Sequence, residues 1–139
     1  MTAGPQLSDV WTAAGVLLGL QGAVFTQRVH REVTVGQSGD VTWLPRADMV
    51  NLASALTTIF GVFILPIFVA DAVAKYAFAL AVLLFAGHLF ALAGHYEMYN
   101  PNTPRSFEYF PRQEQVVITV VGFVAALYVV VAIVYAIQN

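Results

Sequence analysis

The sequence predicts an all-α, polytopic membrane protein: a single domain, residues 1–139, built as a bundle of four transmembrane helices. Three observations predict it. Hydrophobic residues make up 59 % of the chain and charged residues only 10 %, against roughly 25 % charged in ordinary soluble domains. The 14 Asp, Glu, Lys and Arg residues all fall outside four blocks, Val10–Gln27, Met49–Ala70, Tyr76–His95 and Val116–Ile137. A bilayer core explains that exclusion, because a charge at mid-span costs about 2.5–3.5 kcal/mol. Each block also holds 18 to 22 residues, close to the ~20 that cross ~30 Å of hydrocarbon at 1.5 Å per residue.

The same composition excludes several classes. A net charge of −2 leaves no basic footprint for nucleic acid. Without cysteine there is no disulfide frame, thiolate nucleophile or Cys-ligated metal. The N-terminus lacks the basic stretch of a signal peptide, so the first block is expected to remain as a span.

Basic residues set the expected orientation. Arg28, Arg31 and Arg46 lie in the first connection, and Arg105 and Arg112 in the third. The second, Asp71–Lys75, holds only Lys75. By the positive-inside bias, five of the six basic residues mark the cytoplasmic side, and both termini lie on the non-cytoplasmic side.

In the first span Gly15, Gly19 and Gly22 accompany Gln21. Gly15 and Gly19 form a GxxxG spacing, which admits the backbone of a neighbouring helix within or between chains. Val33-Thr34-Val35 and Val41-Thr42-Trp43 then flank Gly36–Asp40, and this pattern predicts a short β-hairpin at the cytoplasmic surface. After Pro45, Asp48 is placed to cap the second helix. That helix carries Asn51, Ser54, Thr58 and Gly61 on one stripe. The stripe reads either as interhelical hydrogen bonding or as a ligand or ion path. Pro66 is expected to kink the helix before a five-residue turn, making spans two and three antiparallel neighbours. The third span ends in His88 and His95. The connection after it, with Pro101, Pro104 and Pro111 among five aromatics, reads as an interfacial belt without a helix. The last span is valine-rich, with a small-residue face at Thr119, Gly122 and Ala126.

Candidate chemistry rests on two groups. His88 and His95 share one face of the third span, about 10.5 Å apart along its axis, too far to hold one metal ion together. His30 lies near the depth of His95 and can pair with it. Levelling the inner ends of spans two and three predicts two polar rungs, Asn51–His95 and Thr58–His88, with His88 facing the bundle interior. The second group is cytoplasmic: Arg28, His30, Arg31, Arg46, Arg105 and Arg112. Headgroup contact explains these residues, and a basic pocket for an anionic ligand is the sharper alternative. Neither a metal nor a cofactor is expected. Haem on His30, His88 or His95 is the variant to exclude.

Four spans, Arg-rich inner connections and a length near 140 residues resemble the MAPEG family of membrane-bound glutathione transferases and peroxidases. Its second helix opens with Arg-x-x-x-Asn-x-x-Glu. Here Arg46-Ala-Asp-Met-Val-Asn51-Leu-Ala-Ser54 has the Arg–Asn spacing one residue longer, and Ser54 stands where the glutamate falls. The resemblance implies a trimer binding glutathione between subunits, with Arg46 and Asn51 among its ligand residues.

The leading expectation is a small helical-bundle protein that acts by association, as a homo-oligomer or as an accessory subunit of a larger membrane complex. One alternative is a MAPEG-like enzyme that binds an anionic thiol at cytoplasmic arginines. Another is an oligomeric channel or transporter lined by the second-span stripe and His88. Expected partners are the lipid bilayer and either further copies or other membrane subunits, with no nucleic acid. The expected location is a prokaryotic plasma membrane.

Overall fold

A computed structural model describes residues 6–36, 45–95 and 112–138. Every regular element among them is helical: α1 (Leu7–Gly36), α2 (Arg46–Leu56), a π-helical stretch (Thr57–Ile64), α3 (Leu65–Phe68), α4 (Asp71–His95) and α5 (Arg112–Gln138). Backbone angles stay helical across both joints of Arg46–Phe68, so α2, the π stretch and α3 form one rod. Four helices are thus long and apolar enough to cross a membrane: Leu7–Arg31, Arg46–Phe68, Asp71–His95 and Arg112–Gln138. The chain is an integral, multi-pass membrane protein.

At the start of α1 the Asp9 carboxylate reaches back to accept the Gln6 backbone N–H at 2.9 Å, half of a capping box. The helix then runs 30 residues, which corrects the hairpin expectation. Val33-Thr34-Val35 is its last turn rather than a strand, and Val41-Thr42-Trp43 lies outside the described residues. Extending an existing helix carries no nucleation cost. The β-branched penalty is at most about 0.7 kcal/mol per residue, and the Thr34 hydroxyl donates to His30 O at 2.9 Å. A lone two-stranded hairpin offers nothing comparable.

Pro45 is the N-cap of α2, but no side chain caps this helix locally. Asp48 does not serve as its cap as expected; it turns instead towards Arg28. Further along, Pro66 has no N–H to give the carbonyl four residues back, that of Val62. The rod widens into π turns just before Pro66, and the Trp11 indole N–H donates to Val62 O at 3.0 Å. One tryptophan on α1 thereby satisfies the carbonyl that the proline leaves over.

The turn after α3 is Val69–Ala70, and Asp71 already opens α4. Asp71–Lys75 is helical, not a five-residue turn. This shortening slides α4 along α2 and resets which residues meet.

Helix α4 packs on every other element, whereas α1 and α5 make no contact with each other among the described residues. Hence α1, the Arg46–Phe68 rod and α4 form a three-sided core, with α5 laid against α4. Three glycines mark the closest approaches. A Cβ on Gly61 would lie 2.5 Å from Ala77 Cβ, one on Gly87 2.5 Å from a Val121 methyl, and one on Gly94 2.8 Å from Glu114 N. Two apolar clusters hold the ends together: Val10, Ala14, Val62 and Ala74 at the turn end, and Ala47, Ala91 and Leu92 at the other.

Candidate functional site

Polar side chains collect inside the bundle, from its middle to the end where α2 and α5 begin. Gln21 and Arg28 come from α1, Asp48, Asn51 and Ser54 from α2, His88 and His95 from α4, and Glu114 from α5. All eight are buried. In hydrocarbon such groups need partners, because each unsatisfied one costs several kcal/mol.

Three helices converge on Glu114. Its Oε1 accepts the Ala47 backbone N–H at 2.7 Å, and its Oε2 lies 2.9 Å from His95 Nδ1. Ala47 stands in the first turn of α2, where backbone N–H groups have no intrahelical acceptor and the helix dipole favours an anion. The α5 carboxylate therefore caps α2 across the bundle while bridging to the last residue of α4. Gly94 permits this approach, since any side chain there would strike the backbone of Gln113 and Glu114.

A second layer joins α1, α2 and α4. Gln21 Nε2 donates to Ser54 Oγ at 2.6 Å, and Ser54 Oγ donates to Ala81 O at 2.6 Å. Asn51 Nδ2 donates to Gln21 O at 3.2 Å. Beside them Arg28 Nε lies 3.6 Å from Asp48 Oδ2, both side chains almost fully buried.

His88 faces the second span, as expected, but not at Thr58. Its Nδ1 lies 2.8 Å from Ala47 O. A carbonyl only accepts, so Nδ1 carries the hydrogen. The ring also stacks on Phe85, with centroids 6.2 Å apart. Both predicted rungs are thus corrected. His95 meets Glu114, His88 meets Ala47, Asn51 meets Gln21, and Thr58 donates to Ser54 O of its own helix at 3.0 Å. His88 reaches Ala47, 11 residues before Thr58, a slide of about 16.5 Å. The two-residue turn accounts for the larger part of that slide.

The proposed His30–His95 pair does not form, because His30 is exposed while His95 is buried against Glu114. Arg31, Arg46 and Arg112 are exposed, and only Arg28 of the described arginines enters the interior. Arg105 lies outside the described residues. Glu114 flanks an apolar block and reads in sequence as a loop charge, whereas Asp48 reads as a local helix cap and not as an interior partner of Arg28. Gln21 was the available signal, the one amide side chain well inside the first span. Among the described residues no group of three or more His, Asp or Glu could hold a metal ion.

Between α1 and α2 lies a cleft of about 340 Å3, walled by Leu18, Phe25, Met49 and Leu52, with Gln21, Asp48 and Asn51 along it. Arg46 does not line it, so the residues carried over from the family motif share no surface there.

No family model, curated protein or solved structure matches the chain.

Proposed function

We propose that the protein works by association in the membrane, as a homo-oligomer or as an accessory subunit of a larger membrane complex. One observation carries the reading. The glycines at Gly61, Gly87 and Gly94 are filled by neighbouring helices, whereas a Cβ built on Gly15, Gly19, Gly22 or Gly122 meets nothing within 4 Å. The GxxxG face of α1 therefore meets no helix among the described residues, and in this reading a close helix contact there comes from another chain. Support comes from α5, of which only 6 % of the most apolar stretch is buried inside the molecule.

The channel alternative fares less well. Asn51 and Ser54 are engaged in hydrogen bonds between helices, and the Thr58 hydroxyl bonds back to its own helix, so none of the three stands free to line a path. An anionic-thiol site would need Arg46 and Asn51 on a common surface, and one is exposed while the other is buried.

In this reading the end bearing Arg28, Arg31, Arg46 and Arg112 faces the cytoplasm, both termini lie outside, and the membrane is a prokaryotic plasma membrane. Native mass determination after extraction in mild detergent tests the association. A multiple of 15.1 kDa, or a defined complex with other membrane subunits, is expected. A lone chain with no co-purifying partner would contradict it.

A further inference from the structure

We propose that Glu114 and His95 form an acid-operated latch on α5. The helix stays docked while the pair holds one added proton, and it swings away from α4 when the pair holds two. The device lies within one chain, so it does not depend on association.

The hold on α5 is narrow. Among the described residues α5 packs only on α4 and α2, and Glu114 is its one buried residue. The other residues it turns to α4 are mostly apolar, and lipid tails solvate such a surface about as well as a neighbouring helix does. Docking at this end therefore rests on the close fit of Val121 at Gly87 and on the two bonds of Glu114. At the other end Tyr128 donates to Tyr76 O at 3.0 Å, and the Tyr135 ring meets Tyr76 edge-on at 6.5 Å. Those contacts make the hinge.

Counting hydrogens fixes how many protons the latch needs. One Glu114 oxygen accepts from the Ala47 N–H and the other faces His95 Nδ1. An ionised carboxylate and a neutral imidazole with its hydrogen on Nδ1 satisfy both arms. A proton taken from water onto His95 Nε2 leaves Nδ1–H donating to the carboxylate. A proton taken onto Glu114 Oε2 instead donates to Nδ1 once the imidazole hydrogen sits on Nε2. Both arms survive either way. With a second proton, Nδ1–H, the carboxyl O–H and the Ala47 N–H all converge on a group with a single carbonyl oxygen, so one arm fails. The imidazolium is then buried without a counter-charge on its partner, and hydration draws it outward.

His95 closes α4 and Glu114 stands in the first turn of α5, so the pair sits where both spans end, next to the aqueous phase. Of the other ionisable groups near this end of α2 and α4, Arg46 is exposed, Asp48 faces Arg28 of α1 at 3.6 Å, and His88 gives its Nδ1 hydrogen to Ala47 O. Arg112 on α5 is exposed.

The experiment uses the cysteine-free full chain in phosphatidylcholine liposomes, with spin labels on paired cysteines at exposed sites. Phe90→Cys with Val116→Cys spans α4 and α5 beside the latch, and Lys75→Cys with Ile137→Cys spans them at the hinge. Distances are read from about pH 8 to about pH 3.5, past the ordinary ranges of imidazole and carboxyl groups. The latch pair should lengthen by about 5 Å, a helix radius, at the acid end. The hinge pair and the helical circular dichroism should stay unchanged. In Glu114→Gln the amide has one oxygen and takes up no proton, so one proton on His95 suffices and the lengthening should come at higher pH. A latch distance that never changes would overturn the proposal. So would a hinge pair that parts together with the latch pair, or lengthening at the same pH in Glu114→Gln as in the parent chain.

Discussion

Glu114 and His95 meet at 2.9 Å across α4 and α5, and the other oxygen of the same carboxylate accepts the first-turn amide of α2 at 2.7 Å. One side chain thus fixes the relative positions of three helices at a single end of the bundle. Its removal should be felt as a whole-molecule loss of stability. Glu114→Leu leaves the Ala47 N–H and the His95 ring without an acceptor, and breaking a buried pair of this kind costs about 3–5 kcal/mol. Glu114→Gln keeps one oxygen for Ala47 and should cost markedly less. Unfolding of the detergent-solubilised protein, followed by circular dichroism, ranks the two variants. Equal stability of Glu114→Leu and the parent chain would dismiss the three-helix tie.

Glycine substitutions should divide into two sets. Gly87→Ala puts a methyl 2.5 Å from a Val121 methyl, and Gly61→Ala puts one 2.5 Å from Ala77 Cβ. Overpacking of this type costs about 1–3 kcal/mol. Gly122→Ala meets nothing within 4 Å among the described residues and should be neutral or slightly stabilising for the isolated chain, since alanine is the better helix former. Thermal unfolding of the three variants in one detergent checks the division.

The Trp11–Pro66 relation predicts a coupling between residues that do not touch the same group directly. Trp11→Phe removes the donor to Val62 O and should cost about 0.5–1.5 kcal/mol. In a Pro66→Ala background the new N–H at position 66 can close the ordinary helical bond to Val62, so the same Trp11→Phe change should cost less. A double-mutant cycle measures the difference. Additive effects would show that the indole acts by packing alone.

Ser54 links α1 to α4 by accepting from Gln21 and donating to Ala81 O. Ser54→Ala should therefore loosen both contacts and cost about 1–2 kcal/mol, at the upper end of membrane interhelical hydrogen bonds. Thr58→Val should be nearly silent by the same assay, because its hydroxyl only bonds back to its own helix.

Much of this architecture was legible in the residues, and the illegible part has a definite cause. Exclusion of charge marks where hydrocarbon lies, so the four spans and the inward face of His88 could be read directly. It says nothing about register between helices. Reading Asp71–Lys75 as a turn placed His88 beside Thr58. The helix in fact begins at Asp71, and His88 meets Ala47. Glu114 escaped notice because it stands in a first helical turn, just outside the uncharged blocks, where a buried carboxylate and a solvated one look alike in sequence. Asp48, in the same position on α2, read as a local cap and not as a partner of Arg28. The Val33–Val35 run misled because β propensity is weaker than the cooperativity of a helix already under way.

The association through α1 is tested most directly by single-cysteine cross-linking, for which the cysteine-free chain is suited. Gly15→Cys and Gly19→Cys should each give a covalent dimer on mild oxidation in native membranes if the GxxxG face holds a second copy, or a cross-link to another subunit if the partner is different. Phe90→Cys, on a lipid-exposed face of α4, should remain a single chain. Cysteines at positions 15 and 19 that stay monomeric, or that cross-link no better than the one at position 90, would contradict the account.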